Sequence, residues 1–151
     1  MTRTRCIALA LAITLLAVTA TAVLAQSSAE DEEGYRTDLD WAQVRFVVAQ
    51  PQSGGTWRFD VTVEHNDEGW DHYADRWQVV DPETLEVYGE RILLHPHDNE
   101  QPFTRSESGI RIPDDQTSVL VRARCTEHGY EGYAVLVDLT SDEGENYEIR
   151  R

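Results

Sequence analysis

The sequence predicts an all-β protein, a single immunoglobulin-like antiparallel β-sandwich of about seven strands that follows an N-terminal signal peptide. Apolar and polar residues alternate with a period of two in short segments between residues 39 and 140. Turn-forming residues separate these segments, as in Pro51-Gln52-Ser53-Gly54-Gly55 and Asp81-Pro82-Glu83-Thr84. No segment after residue 25 has a sustained helical period, so two packed antiparallel sheets are the expected architecture.

The first 25 residues have the composition of a cleavable secretory signal. Arg3 and Arg5 precede an apolar stretch over residues 6–24, and Val23-Leu24-Ala25 places small or aliphatic side chains before polar residues. We therefore expect cleavage after Ala25, export to the periplasm or the medium, and no membrane span in the mature chain. An uncleaved anchor is the alternative, because the stretch is nearly long enough to cross a bilayer. Cys6 precedes this stretch, which argues against a lipoprotein-type acylated cysteine.

The rest of the chain divides by composition. Residues 26–38 are acidic and poor in apolar side chains, so we expect a flexible leader, and residues 141–151 are expected to form a polar tail. In the β domain between them, the clearest strand has apolar side chains at every second position, Trp57, Phe59, Val61 and Val63. The seven strands are predicted near residues 44–48, 57–64, 75–80, 87–95, 102–108, 118–125 and 132–139.

Charge and cysteine content narrow the possible partners. The chain has 13 basic and 28 acidic residues and no lysine, and loss of the signal would leave 11 basic residues and a net charge of −17. Such a surface repels nucleic acid and anionic lipid, so neither is expected as a partner. A saline exterior would screen the self-repulsion, whereas a GC-rich genome is the other explanation for arginine replacing lysine. Only Cys125 would remain, so no internal disulfide is expected.

One end of the predicted sandwich collects the chain's unusual residues. Successive antiparallel strands place the connections near residues 65–74, 95–102 and 125–131 at the same end. All five histidines of the chain lie there, namely His65, His72, His95, His97 and His128. Loops at one end of a rigid sandwich often carry binding residues, so this end is the predicted site.

Within this end, His95-Pro96-His97 is the most specific pattern. Extended backbone places residues i and i+2 on the same side, and Pro96 favours extension at His95, so both imidazoles can meet one Zn²⁺ or Cu²⁺ ion. The predicted metal ligands are His95, His97, His72, His128 and Asp71. The residues expected to contact a ligand or partner are Trp70, Tyr73, Asp98, Glu100 and Phe103.

Each of these residues also has a purely structural interpretation. His95 and His97 could instead hold their loop through hydrogen bonds to neighbours such as Asp98 or Glu100. His65 continues an inward strand face and is predicted to be a buried strand-end histidine. Cys125 is predicted to pack as a small apolar side chain, and it becomes a copper or zinc ligand if it lies beside His128.

Two loop segments, Gly69-Trp70-Asp71-His72-Tyr73-Ala74-Asp75 and the stretch from Leu94 to Ser106, resemble a family of short exported bacterial β-sandwich proteins without a known activity. The resemblance covers residues 57–139. It implies export and a β domain, and it implies no chemistry and no site residues.

The predicted function is that of an exported, non-enzymatic accessory protein that binds a protein partner or a small ligand, with copper or zinc as the most specific form of ligand. A metal-dependent periplasmic enzyme or redox accessory that uses His95, His97 and His72 is the alternative, as is a structural module of an envelope assembly. The chain contains no Gly-x-Ser-x-Gly, His-Glu-x-x-His or phosphate-loop motif, and no catalytic residue is predicted.

Overall fold

A computed structural model of the protein describes residues 39–151, which form two β-sheets and contain no helix. The predicted signal and leader lie outside the described residues. The strands are, in chain order, β1 (Gln43–Gln52), β2 (Thr56–Glu64), β3 (Ala74–Val80), β4 (Val87–Ile92), β5 (Phe103–Arg111), β6 (Ser118–Cys125), β7 (Val135–Asp138), β8 (Glu143–Gly144) and β9 (Tyr147–Ile149). The part of the chain described contains no helix that is long and apolar enough to cross a membrane.

The two sheets confirm the predicted all-β fold. One has five strands in the order β5-β2-β1-β9-β8, and the other has four in the order β4-β3-β6-β7. Neighbouring strands are antiparallel except β1 and β9, which pair in parallel from Val47↔Tyr147 to Ala49↔Ile149. The arrangement is consistent with a β-sandwich, in which each sheet covers the apolar face of the other.

The period-two pattern of the sequence places one face of each strand in the core. In β6 the buried positions alternate strictly with half-buried ones, and the outward face carries Arg122 and Arg124. The largest side chains with less than 2% of their surface exposed include Trp77 on β3 and Phe59 on β2. Removal of this apolar surface from water is the main favourable contribution to folding.

The structure has nine strands where the sequence predicts about seven, and the two additional strands lie in residues 141–151. Tyr147 and Ile149 bury their side chains in the core, and the Arg150 amide donates to the carbonyl oxygen of Ala49. A single alternation of Tyr147, Glu148 and Ile149 is too short to predict a strand. Pairing with β1 provides the stabilisation that these three residues do not provide on their own.

Three connections meet at one end of the sandwich, as their strand directions predict. The Thr126 amide donates to the Tyr73 carbonyl, and the His97 amide donates to Asp67 Oδ2 at 2.6 Å. The Asn66 amide donates to the Leu39 carbonyl, which brings the start of the described chain to the same place. We call residues 39–41, 65–73, 93–102 and 125–131 the histidine end, and residues 53–55, 81–86 and 112–117 the turn end.

Candidate metal centre

Three buried donor side chains converge at the histidine end. His65 directly follows β2, His72 lies in the β2–β3 connection, and Cys125 is the last residue of β6. One ligand atom of each lies within 4.8 Å of those of the other two. Three atoms with this spacing share a point no more than about 2.8 Å from each, close to the 2.0–2.3 Å of zinc–nitrogen and zinc–sulfur bonds. A small inward shift of side chains would therefore bring all three into contact with one ion.

The main-chain carbonyl of Asp40 faces the same three donors. Its oxygen lies 3.2 Å from His65 Nε2, 3.3 Å from His72 Nε2 and 3.6 Å from Cys125 Sγ. A fourth donor atom therefore lies beside the three side chains.

Asp67 orients the ring of His65 towards this point. Asp67 Oδ1 lies 2.6 Å from His65 Nδ1 and accepts the Ala74 amide at 2.9 Å, and both side chains are fully buried. Burial acts to raise the pKa of Asp67, but hydrogen bonds from the His65 ring and the His97 and Ala74 amides outweigh it and hold that pKa below its usual value. The ionised carboxylate only accepts, so His65 carries a proton on Nδ1. Its Nε2 is left facing the point shared by the ligand atoms of His65, His72 and Cys125, which we call the three-donor point.

His72 has the same orientation. Its Nδ1 lies 3.2 Å from Glu68 Oε2, while its Nε2 faces Asp40, and its ring meets that of His65 edge-on at 4.7 Å. Burial acts to lower the pKa of His72, but the hydrogen bonds with Glu68 and the Asp40 carbonyl and the charge of Glu127 outweigh it, so the pKa is raised. A carboxylate behind each imidazole is the arrangement that fixes metal-ligating histidines in proteins.

A tight turn after β6 holds the Cys125 sulfur in place. The Cys125 and Gly129 main chains exchange two hydrogen bonds of 3.1 Å, and Gly129 has a φ of 67°, which favours glycine. Within this turn the His128 amide donates to Cys125 Sγ at 3.2 Å, and His128 Nδ1 lies 3.5 Å from the same sulfur. The turn therefore holds the sulfur where it faces the Asp40 carbonyl, 3.6 Å away.

A second group of possible ligands shares one of these residues. His72, Glu127 and His128 also offer three atoms within 4.8 Å of one another, but Glu127 and His128 are exposed. The rings of His72 and His128 lie 5.1 Å apart. Because His72 Nε2 already faces the buried donors, the buried set is the better formed of the two.

The predicted metal ligands are divided by the structure. His72 and His128 lie at the three-donor point or against its sulfur, whereas neither group of three within residues 39–151 includes His95, His97 or Asp71. The rings of His95 and His97 do lie close, 4.5 Å apart. His97 is buried and stacks on Phe103 at 3.9 Å, and burial, Arg105 and His95 lower its pKa. The carboxylate of Asp67 joins this loop to the three-donor point, since it accepts the His97 amide.

The predicted contact residues have varied environments. Trp70 is 67% exposed and packs edge-on against Tyr73, with their ring centroids 5.9 Å apart. Glu100 pairs with Arg105 at 2.6 Å, Asp98 accepts from the Asn99 amide group, and Phe103 is buried beneath His97. Trp70 is therefore the member of this set that offers an exposed apolar surface beside the histidine end.

The sequence predicts His65 to be a structural residue and predicts Cys125 to be a ligand only if it lies beside His128. The structure brings Cys125 Sγ within 3.5 Å of His128 Nδ1 and places both His65 and Cys125 at the three-donor point. One signal in the sequence points in this direction, since Cys125 and His128 are three residues apart after a strand. The role of the Asp40 carbonyl carries no signal in the sequence, because any residue supplies a carbonyl.

The chain is similar to a protein from Halomicrobium mukohataei that is described as a "Putative lipoprotein". The two are 44% identical over 115 residues, which is 75% of this chain and 55% of that protein, so the chain spans little more than half of the relative's length. No protein-family model matches the chain. No solved structure is significantly similar to it.

Proposed function

We propose that this is an exported accessory protein whose β-sandwich binds a transition metal ion through His65, His72 and Cys125. The observation that carries the proposal is the convergence of three buried donors whose rings are oriented by carboxylates. Export is supported by the signal-like composition of residues 1–25 and by the description of the H. mukohataei relative.

The donor set favours copper or zinc over other common ions. Calcium and magnesium prefer oxygen ligands, whereas imidazole and thiolate bind the softer ions of the later transition series. Copper and zinc are therefore the ions that this set of two imidazoles and one thiolate would hold.

The hydrogen bonding around the donors also favours a cation. Each histidine directs Nδ1 at a carboxylate, so in a neutral ring Nε2 is an acceptor, and both Nε2 atoms face the carbonyl oxygen of Asp40. Acceptors that face each other in a buried space repel unless a proton or a metal ion lies between them. A metal ion satisfies both nitrogens, the sulfur and the carbonyl at once.

A binding role, as opposed to catalysis, is supported by the burial of the ligands. The exposed fractions of His65, His72 and Cys125 are 1%, 7% and 0%. Catalytic metal sites keep an open position for water or substrate, whereas these donors leave the ion covered by protein.

Metal titration of the purified protein, without a His tag, tests this proposal. We expect one equivalent of Zn²⁺ or Cu²⁺ to bind and to raise the melting temperature, because a ligand that binds only the folded state stabilises it. Cys125→Ser and His65→Ala should each abolish tight binding. His95→Ala is the matched control, because His95 is exposed and its Nδ1 lies 2.9 Å from the Pro96 carbonyl oxygen.

Circular dichroism of each metal-free variant separates loss of the site from loss of the fold. Absence of stoichiometric binding by the folded wild-type protein would refute the proposal. Equal affinity in wild-type protein and in a folded Cys125→Ser variant would refute this set of ligands.

A further inference from the structure

The arrangement of the four donors distinguishes between the two candidate ions. Three of them, two imidazoles and one sulfur, offer ligand atoms within 4.8 Å of one another, and the fourth, the Asp40 carbonyl, is neutral and lies 3.2, 3.3 and 3.6 Å from the three. The donor set is therefore two nitrogens and one sulfur, with one neutral carbonyl oxygen as a weaker fourth contact.

This set of donors suits copper better than zinc. Structural zinc sites have four strong ligands in a tetrahedron, and catalytic zinc sites have three with water in the fourth position. Two histidines and one cysteine in a trigonal plane, with a long axial contact such as a backbone oxygen, are typical of copper sites that transfer single electrons. Copper also binds more tightly than zinc to a given set of nitrogen and sulfur ligands.

We propose that the ion is copper, held by His65, His72 and Cys125 with the Asp40 carbonyl as a weaker fourth contact, and that it exchanges single electrons. This inference rests on the transition-metal binding proposed above. The thiolate-bound Cu(II) ion takes one electron from an external one-electron donor and becomes Cu(I), and it returns that electron to a one-electron acceptor. No bond to the protein forms or breaks in either direction, and no proton is transferred.

The surroundings of the donors support reversible electron exchange. Asp67 and Glu68 fix the two imidazoles, and the His128 amide fixes the sulfur, so the same ligands are held for both oxidation states. The hydrogen bond to the sulfur is one of the features that tune the potential of such a site. All three ligands are buried, which keeps water from adding to the copper.

His128 provides the connection to the surface. Its ring is exposed, and its Nδ1 lies 3.5 Å from Cys125 Sγ, whereas the rings of His65 and His72 are buried. An electron that enters at the His128 ring therefore has a short path to the sulfur and the ion.

Spectroscopy of the copper-loaded protein tests this inference, using full-length protein exported by its host and purified without a tag. On addition of Cu²⁺ we expect intense visible absorption from charge transfer between the Cys125 thiolate and Cu(II). One electron equivalent from ascorbate should bleach it, and ferricyanide should restore it. Cys125→Ser should lack the absorption, while His95→Ala should keep it, because His95 is exposed and belongs to neither group of possible ligands.

The outcomes separate this inference from the proposed function. Binding of Zn²⁺ without a thiolate–copper absorption would overturn copper electron exchange and leave transition-metal binding standing. Failure of both ions to bind would overturn both. Loss of copper binding in a folded His128→Ala variant would overturn the Asp40 carbonyl as the fourth contact. Bleaching that consumes the Cys125 thiol and does not reverse would overturn reversible exchange.

Discussion

The two ends of the sandwich stabilise their polar groups in different ways. At the turn end two of the turns are held by local contacts: Asp81 Oδ1 accepts the amides of Glu83 and Thr84, and the Pro113 carbonyl accepts the Gln116 amide. At the histidine end the buried polar groups join distant parts of the chain. His97 and Asp67 are 30 residues apart, and Cys125 and Asp40 are 85 apart. The turns at Asp81 and Pro113 thus use neighbouring residues, whereas the histidine end depends on contacts between distant parts of the sandwich.

The two ends also differ in how many polar residues they bury. Of the seven buried polar or charged residues among those described, His65, Asp67, His72 and His97 lie at the histidine end, and none lies at the turn end. Burying a polar group is unfavourable by about 1–3 kcal/mol unless hydrogen bonds compensate for it. A sandwich can be closed with ordinary turn residues, as the turn end demonstrates. The histidine end thus buries more polar groups than closing a sandwich requires.

Among substitutions at the two ends, Asp67→Asn should have the largest effect on metal affinity and on stability. Asp67 joins β3, the His97 loop and the His65 ring through one buried carboxylate. We expect metal affinity to fall about 10- to 100-fold, because the carboxylate orients a ligand. We also expect the free energy of unfolding to fall by about 3 kcal/mol, because the substitution removes the charged acceptor of three buried hydrogen bonds. Titration calorimetry and urea unfolding measure the two effects.

The effect on stability should depend on pH. The pKa of Asp67 is lowered by folding, so its carboxylate stabilises the protein above the pKa of the unfolded chain, and this contribution disappears as pH falls through the lower pKa of the folded state. The difference between wild-type protein and Asp67→Asn should therefore shrink in acid. Asp71→Asn is the matched control, since Asp71 is an exposed acidic residue of the same connection. Equal metal affinity in all three proteins would show that Asp67 does not position a ligand.

Much of this architecture follows from local sequence, and the details of the site do not. The sixth strand was predicted over residues 118–125 and is observed there, because Val119, Val121 and Ala123 alternate with polar residues. The gathering of the histidine loops follows from alternating strand directions. Convergence of His72 with Cys125 depends on how β3 pairs with β6, including an irregularity between Ala74 and Arg76, and His65 reaches them from β2 of the other sheet. No single segment of sequence encodes that register.

The same limit applies to the metal ligands predicted from His95-Pro96-His97. Spacing within one segment is visible in a sequence, so two histidines separated by a proline stand out, and their rings do lie close. Donors that come from separate connections are invisible until those connections are placed. The polar tail shows the same effect, because β9 forms by pairing with β1 and its own three residues do not predict a strand.

His97→Ala should have an intermediate effect and should decide which histidines bind the ion. The His97 ring stacks on Phe103 at 3.9 Å and is buried, so its loss should lower the free energy of unfolding by about 1–2 kcal/mol. Metal affinity should change little, because His97 supplies no atom to the three-donor point. Parallel titrations of His97→Ala and His65→Ala measure this. Loss of binding in His97→Ala alone would make the His95–His97 pair the site.

Asp81→Ala, at the turn end, should have the smallest effect and should leave the metal site unchanged. Asp81 Oδ1 accepts two amides of its own turn, and Oδ2 accepts the Tyr88 hydroxyl at 3.0 Å. The amides of Thr84 and Glu83 are the main reason that the pKa of Asp81 is lowered, so its stabilising contribution is present near neutral pH and is lost as pH falls through that pKa. We expect a small decrease in melting temperature at neutral pH that vanishes in acid.

Tyr88 provides an independent readout of the same substitution. Burial raises the pKa of Tyr88 to about 12, with a further contribution from its hydrogen bond to Asp81, so Asp81→Ala should lower that pKa in an ultraviolet titration of the phenol. Copper and zinc affinities should equal those of the wild-type protein, because every contact of Asp81 given above lies within residues 81–88, outside the histidine end. A change in metal affinity as large as that of Asp67→Asn would mean that the two ends are coupled through the sandwich, and the contrast between a locally formed end and a binding end would then fail.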